Sequence, residues 1–210
     1  MKIIELIDDL DSKRPLLICD VDEVVLHFVA PFESYLSERG LYLRKTSFKL
    51  SGNVINADTG EPLSSLSSSA HVLQFHEESV DHQPIIDDAQ PVLVSLAEQF
   101  QIVFLTNVAA ELSMRRRSHL ATLGLDFPVL RNNGSKAEAV AQLADYTAAP
   151  TIFIDDLPMH HRMIKSTSPE FFCIHYMADS DFRKIAKIDP EVAEKAEDWQ
   201  EIKSLCMQKI

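Results

Sequence analysis

The segment LLICDVDEVVL, residues 16–26, combines the pattern of a buried strand with two carboxylates. Four consecutive apolar residues precede Asp20, Asp22 follows two positions later, and valines then resume. A short apolar run of this kind is typical of a strand that is buried on both faces. Residues two apart in an extended chain project to the same side, so we expect both carboxylates to face one site beyond this strand.

Three more apolar runs end at polar residues in the same way. They are QIVFLT (101–106), TIFIDD (151–156) and FFCIHY (171–176), and FPVL (127–130) is a weaker strand candidate. Helical patterns lie between the second and third runs: AAELSMRRRSHLATLGL, closed by Gly124, and SKAEAVAQLADY. Buried strands separated by helices predict an α/β protein with a doubly wound parallel sheet.

In such a sheet the ligand binds beyond the carboxyl ends of the strands. The residues that end the apolar runs are therefore the first candidates for function: Asp20, Thr106, Asp155 and Asp156. Clustered carboxylates repel one another and call for a cation. Oxygen ligands without nearby His or Cys favour magnesium over zinc or copper. The alternative is that the acidic residues only mark solvated strand ends.

Residues 28–86 do not fit the alternation of strands and helices. The stretch SGNVINADTGEPLSS is rich in turn formers, and LSSLSSSAHVLQFHEES has apolar residues spaced for a short helix. We interpret 28–86 as a small packed insertion in a core domain formed by 1–27 and 87–210, in preference to a flexible serine-rich linker. At the other end of the chain, Asp189 and Pro190 predict the start of a C-terminal helix, which docks on the core or forms a dimer interface.

Charge and composition exclude several classes of function. The 210 residues carry a formal charge of −12, and RRR (115–117) is the one basic run, so nucleic acid and anionic membranes are not expected partners. The five glycines form neither a dinucleotide-binding motif nor a P-loop. Three scattered cysteines indicate neither disulfides nor a zinc site. The N-terminal segment lacks the pattern of a signal peptide and no run is long enough to span a bilayer, so we expect a cytoplasmic location.

Four motifs together resemble those of the haloacid dehalogenase (HAD) superfamily of phosphohydrolases. LLICDVDEVVL is similar to the first motif, IVFLTN with Thr106 to the second, and NNGSKAEAV with Lys136 to the third. TIFIDDLP, with Asp155 and Asp156, is similar to the fourth. The motifs follow the order of that superfamily over residues 16–158, and Glu23 stands where many relatives have glycine.

The resemblance implies a Rossmann-like core with a small helical cap and a phosphatase reaction on that core. Asp20 is then the nucleophile that forms an aspartyl-phosphate, and Asp22 is the general acid and base. Thr106, Asn107 and Lys136 are implied to bind the substrate phosphate.

The resemblance also implies a magnesium cofactor. Its ligands would be Asp20, Asp155, the main-chain carbonyl of Asp22, and Asp156 directly or through water. The expected substrate is a small phosphorylated metabolite, such as a nucleotide or a sugar phosphate, selected by the insertion acting as a cap. A haloacid dehalogenase proper has no need of Asp22. A phosphomutase or phosphotransferase, and a non-catalytic binding protein on the same fold, stay open.

Several other polar residues have two interpretations. Arg115, Arg116 and Arg117 could contact an anionic substrate, but the run favours a solvated helix face. The neighbours His160 and His161 could bind a metal, but adjacent helical residues point apart and favour surface positions. The insertion histidines have no spacing that identifies a ligand set; they are His71, His76 and His82.

Overall fold

The computed structural model describes residues 10–210. Its strands are β1 (Leu16–Cys19), β2 (Leu41–Leu43), β3 (Val54–Asn56), β4 (Gln101–Thr106), β5 (Val129–Arg131), β6 (Thr151–Asp155), β7 (Phe172–His175) and β8 (Glu194–Lys195). Its α-helices are α1 (Val29–Ser37), α2 (Ser65–Ser79), α3 (Ala89–Leu96), α4 (Ser113–Thr122), α5 (Ala137–Ala144), α6 (Pro158–Thr167), α7 (Ser180–Ile185) and α8 (Trp199–Met207). None of these described helices has both the length and the apolar character needed to cross a membrane.

Six strands form one parallel sheet in the order β5-β4-β1-β6-β7-β8. The predicted doubly wound α/β class is confirmed. The chain runs from β1 outward to β4 and β5 and then returns to β6 on the other side of β1. The carboxyl ends of β1, β4 and β6 therefore surround the point where the strand order reverses, which is where ligands bind in open parallel sheets.

The side chains of β1 alternate between two hydrophobic cores. Leu17 and Cys19 pack on one face with residues of α3, α4 and α8, whereas Leu16 and Ile18 pack on the other face with residues of α5 and α6. All four side chains are buried. Burying a leucine or isoleucine contributes roughly 1.5–3 kcal/mol, so the strand is firmly anchored and the residue that follows it has a fixed position.

The segment between β1 and α3 contains two helices, α1 and α2, and the antiparallel pair β2-β3. Its core includes Phe32, Val54 and Phe75, and it is completed by Met177 and Phe182, which follow β7. The predicted helix in this segment is present, but the strand pair was not expected. Each of these strands has only three residues, which is too short to show a clear alternation of apolar and polar positions in the sequence.

The predicted start of the C-terminal helix was wrong. The α8 helix begins at Trp199, where the Asp198 carboxylate accepts a hydrogen bond from the Glu201 amide (2.9 Å). The residues predicted as its first turns form a turn and the edge strand β8, because pairing with β7 outweighs local helix propensity. The predicted docking on the core is observed, since Trp199 is fully buried and its indole N–H donates to the Val24 carbonyl (3.1 Å).

Candidate active site

Asp20 lies immediately beyond β1 and is still held by the sheet. Its amide donates to the Ile154 carbonyl of β6 (2.9 Å), and its side chain is buried. Burial raises the pKa of the Asp20 carboxyl to about 6, with Lys136 lowering it and Asp155 raising it. The carboxylate is thus presented from a rigid strand end rather than from a mobile loop.

Glu23 adopts a backbone conformation that usually requires glycine. Its φ angle is +65°, in the left-handed region, which costs a residue with a Cβ about 1–2 kcal/mol. The Glu23 carboxylate accepts hydrogen bonds from the Phe28 and Val29 amides (2.9 and 2.7 Å) at the start of α1. Charged bonds to the first amides of a helix are favourable, so they offset the strain and fix the turn that carries Asp22.

One oxygen of Asp22 is held by two side chains from other parts of the chain. Asp22 Oδ1 accepts from Arg116 Nη2 (2.9 Å) and from Gln83 Nε2 (3.1 Å). Burial would raise the pKa of Asp22, but Arg116 and the nearby His76 more than offset it, and the pKa is lowered. The other oxygen, Oδ2, accepts no hydrogen bond from residues 10–210 and is free to meet a substrate.

Arg116 is fully buried, so its interpretation as part of a solvated helix face was wrong. Its Nη2 also donates to Gln83 Oε1 (2.7 Å), while its Nε and Nη1 have no hydrogen-bond partner among the described residues. Arg117 is exposed, and Arg115 pairs with Asp81 at the surface. The sequence RRR does not distinguish the three positions. Only the packing of α4 against the segment before α3 buries Arg116.

Lys136 joins the ends of two neighbouring strands. It lies at the start of α5, is buried, and places its Nζ 2.5 Å from Asp20 Oδ1 and 2.8 Å from Asp155 Oδ2. Burial alone would lower the pKa of Lys136, but the two carboxylates raise it above its usual value. The ammonium group is therefore charged and shared between Asp20 and Asp155.

Asp155 ends β6 and is the most heavily hydrogen-bonded carboxylate of the group. Its Oδ1 accepts from the Leu157 amide (2.8 Å) and from His160 Nδ1 (2.9 Å), and its Oδ2 accepts from Lys136. Burial opposes ionisation, but Lys136 and His160 hold the pKa of Asp155 below its usual value. A carboxylate only accepts, so His160 carries its proton on Nδ1.

His160 and His161 are both buried, so the surface interpretation was wrong for both. Neighbouring residues on a helix differ in direction, yet neither of these two side chains is exposed at the surface. His160 bonds the Asp155 carboxylate, whereas His161 Nε2 donates to the Asp155 carbonyl (3.0 Å) and its ring packs edge-on against Phe153. The first turn of α6 thus braces Asp155 from two sides.

The expected phosphate-binding residues at the end of β4 differ in their surroundings. Thr106 is fully buried, and its hydroxyl has no hydrogen-bond partner among the described residues. The side chain of Asn107 donates to the Gly134 carbonyl (3.0 Å) and accepts from Asn132 Nδ2 (2.9 Å). Asn107 therefore ties the loop that carries Lys136 to the end of β4.

Carboxylate oxygens of Asp20, Asp155 and Asp156 lie within 4.8 Å of one another. Burial and repulsion by Asp155 and Asp20 raise the pKa of Asp156 well above its usual value. When all three carboxylates are ionised, the single ammonium of Lys136 leaves two negative charges, which a divalent cation with oxygen ligands would balance. The Asp22 carboxylate is not part of this group, although the Asp22 carbonyl accepts no backbone hydrogen bond from residues 10–210.

A cavity of about 270 Å³ opens over these residues. Five of the seven predicted site residues line it: Asp20, Asp22, Asn107, Lys136 and Asp156. Thr106 and Asp155 are buried at the ends of β4 and β6 and do not line it. Three further residues contribute: Gln83, which the sequence analysis did not single out, and Arg116 and His160, for which it favoured surface positions because no local pattern marks them as buried.

No protein-family model matches the sequence, and no curated protein matches it significantly. Solved structures are similar in three dimensions. A haloacid dehalogenase-like family hydrolase from Streptococcus pneumoniae is 14% identical with a TM-score of 0.59, and the match covers 94% of this chain and 100% of that one. The HAD-hydrolase YfnB from Bacillus subtilis, solved bound to magnesium, is 15% identical with a TM-score of 0.58, covering 93% and 99% of the two chains.

A third similar structure is that of a predicted phosphoglycolate phosphatase from Haemophilus somnus. It is 12% identical with a TM-score of 0.58, and the match covers 94% of this chain and 99% of that one. At these identities the comparisons establish the fold. The chain has the haloacid dehalogenase-like fold, and the resemblance carried by the four motifs is confirmed at that level.

Proposed function

We propose that this protein is a magnesium-dependent phosphomonoesterase that acts through an aspartyl-phosphate on Asp20. One observation carries the proposal: the Lys136 ammonium bridges Asp20 and Asp155 at the end of the sheet, where a third carboxylate, Asp156, leaves the group in need of a divalent cation. A purely structural role would not explain three carboxylates at one buried strand edge, because their mutual repulsion destabilises the fold.

In the first step Asp20 attacks the phosphorus atom of the ester in line with the departing oxygen. A bond forms between a carboxylate oxygen of Asp20 and phosphorus, and the bond from phosphorus to the alcohol oxygen breaks. Asp22 supplies the proton that the alkoxide needs. Arg116 keeps the resting Asp22 ionised, and the negative charge of an incoming phosphate raises its pKa, so Asp22 takes up its proton when the ester binds.

In the second step water attacks the phosphorus atom of the aspartyl-phosphate. The Asp22 carboxylate accepts a proton from this water, phosphate leaves, and the Asp20 carboxylate is restored. General acid and base catalysis of this kind typically contributes roughly 100- to 10,000-fold in rate.

Electrostatic stabilisation falls mainly to residues on the sheet edge. Phosphoryl transfer has a highly charged transition state, so positioned cations and donors account for most of the acceleration. Lys136 offsets charge on Asp20 and on the phosphoryl oxygens, and Thr106 has a hydroxyl donor that is without a partner in the described part of the chain. Magnesium, held by Asp20, Asp155, Asp156 and the Asp22 carbonyl, would neutralise the developing negative charge.

Arg116 and Gln83 act as positioning residues in this mechanism. Both hold Oδ1 of Asp22, which leaves Oδ2 for the proton transfers. Arg116 Nη2 also lies 3.3 Å from His76 Nδ1 of α2. The orientation of the general acid is thereby linked to the segment between β1 and α3.

That segment, residues 28–86, acts as the cap in our proposal. Its side chains form much of the cavity wall, so a bound ester would contact both this segment and the edge of the sheet. Closing such a cap excludes water from the reacting phosphorus and strengthens the charged interactions around it.

The direct test is release of inorganic phosphate from para-nitrophenyl phosphate with magnesium. Turnover is expected for the wild-type protein and is expected to be lost in Asp20→Asn. The matched control, Asp126→Asn, changes an exposed aspartate and should keep full activity. Wild-type protein without turnover on any phosphate ester would support a non-catalytic binding protein instead. Product in which the phosphoryl group is retained on an acceptor would support phosphotransfer.

A further inference from the structure

We propose that the ester hydrolysed at this site carries a compact, uncharged, apolar alcohol. This inference rests on the proposed function and specifies its substrate class. The insertion and the segment after β7 contribute six apolar side chains to the cavity wall: Leu43, Phe48, Leu50, Val72, Met177 and Phe182. The organic part of a bound ester must lie against these side chains once its phosphoryl group meets Asp20.

The wall is a built part of the fold and not an incidental gap. Met177 and Phe182 follow β7, yet they pack in the same hydrophobic core as Leu43, and Leu50 and Val72 pack against that core. Phe48 and Phe182 contact each other, with ring centroids 5.5 Å apart. The apolar surface is thus made jointly by the insertion and the main domain.

Among the described residues that line the cavity, no unpaired cation is available to a second anionic group on the substrate. Of the basic residues of the insertion, Arg44 and Lys49 are exposed and do not line the cavity, and two others are held in ion pairs. Lys45 pairs with Asp179 (2.8 Å) and Glu33 (3.1 Å), and Arg39 pairs with Glu78 (2.9 Å). Neither Lys45 nor Arg39 lines the cavity.

The basic side chains that do line the cavity are also occupied. Lys136 is shared by Asp20 and Asp155, and His160 donates its Nδ1 proton to Asp155. Burial lowers the pKa of His76, which keeps this ring neutral. An additional carboxylate or phosphate on the substrate would therefore be desolvated without a counter-charge, beside carboxylates of its own sign.

A polyhydroxylated alcohol would also bind poorly. Its hydroxyl groups would lie against aliphatic and aromatic side chains without hydrogen-bond partners, and unpaired polar groups in a closed site reduce affinity. The volume of about 270 Å³ lies at the lower end for small-molecule sites. The wall thus disfavours sugar phosphates and nucleotides, the two substrate types expected from the sequence, and disfavours phosphoglycolate because of its carboxylate.

The test compares esters matched in the acidity of their leaving group. With magnesium present, kcat/KM is measured for benzyl phosphate against glucose 6-phosphate, and for n-butyl phosphate against glycerol 1-phosphate. All four leave as alkanols, so a difference reports the cavity rather than the chemistry. We expect each apolar ester to be preferred by at least about tenfold, the range that a few methylene contacts supply. Phosphoglycolate should be among the poorest esters.

A pair of variants on α2 tests whether this wall causes the preference. Val72→Thr places a hydroxyl in the wall at nearly constant volume, and should lower the ratio of benzyl phosphate to glucose 6-phosphate by about threefold or more. Leu73→Thr makes a similar change at the next position, which is exposed and does not line the cavity, and should leave that ratio unchanged.

The outcomes separate this inference from the proposed function. Turnover that favours glucose 6-phosphate, glycerol 1-phosphate or phosphoglycolate would overturn the apolar substrate class and leave the phosphatase intact. An unchanged ratio in Val72→Thr would overturn the assignment of specificity to this wall. Absence of turnover on every ester would overturn the proposed function, and this inference with it.

Discussion

Replacing Arg116 with methionine should remove the ion pair that holds Asp22, the proposed general acid. Methionine keeps the length and the helix propensity of the side chain but removes the charge that faces Asp22. Arg116 is fully buried, and its Nη2 is the charged donor to Asp22 Oδ1. Gln83 would be the one remaining donor to that oxygen among the described residues.

The size of the effect follows from two opposing contributions. Removing one partner of a buried ion pair costs about 3–5 kcal/mol, and the Asp22 side chain is 22% exposed, so the lower part of that range applies. The variant also removes two buried guanidinium nitrogens that have no hydrogen-bond partner, each of which costs about 1–3 kcal/mol in the wild-type protein. The two contributions largely cancel, so we expect a net loss of no more than about 2 kcal/mol in the free energy of unfolding.

Urea unfolding of four proteins measures the coupling: wild type, Arg116→Met, Asp22→Asn and the double variant. The two losses should be less than additive, with a coupling energy of about 1–2 kcal/mol, because the double variant has no unpaired carboxylate. Arg117→Met is the matched control, since Arg117 is the exposed neighbour, and should change stability by less than about 0.5 kcal/mol. Additive losses at positions 22 and 116 would refute the ion pair as a unit.

Three further predictions concern catalysis, the metal and pH. Asp22→Ala should slow benzyl phosphate more than para-nitrophenyl phosphate, because only the alkoxide needs a proton; equal losses would remove the general-acid role. Magnesium at a hundredfold excess over its dissociation constant should raise stability by about 2.7 kcal/mol, and a melting temperature indifferent to both magnesium and chelator would contradict the metal site. Burial lowers the pKa of His175 to about 4 from 6.5, so the unfolded chain binds more protons in this interval. Stability should therefore fall by up to about 3 kcal/mol as the pH decreases from 6.5 toward 4, and His175→Gln should flatten that dependence; an unchanged slope in urea unfolding would contradict it.

The sheet and the acidic residues at its edge were predictable because their signals are local. Apolar runs of four to six residues allow few structures, and parallel strands bring their carboxyl ends together wherever they lie in the sequence. The strand ends placed Asp20 and Asp155 at one sheet edge, and the resemblance of its motif placed Lys136 with them; the three side chains are in contact although they are far apart in the chain.

The supporting residues were not predictable, because their burial depends on tertiary packing alone. Arg116 lies in a run of three arginines, and only the approach of Gln83 and α2 to α4 buries it. His160 and His161 were expected at the surface, but both are buried and both bond to Asp155, the first to its carboxylate and the second to its carbonyl. Pairing with β7 at the edge of the sheet likewise forms β8 from residues that were predicted to be helical.

The most direct measurement is the detection of a phosphoryl group on Asp20 during turnover. Protein mixed with para-nitrophenyl phosphate and magnesium is quenched in acid, and the peptides are mapped by mass spectrometry. Our account predicts the mass of one phosphoryl group on the peptide containing Asp20, localised to that residue, and its absence in Asp20→Asn. Sustained release of phosphate with no modification of Asp20, or with Asp20→Asn as active as the wild type, would contradict it.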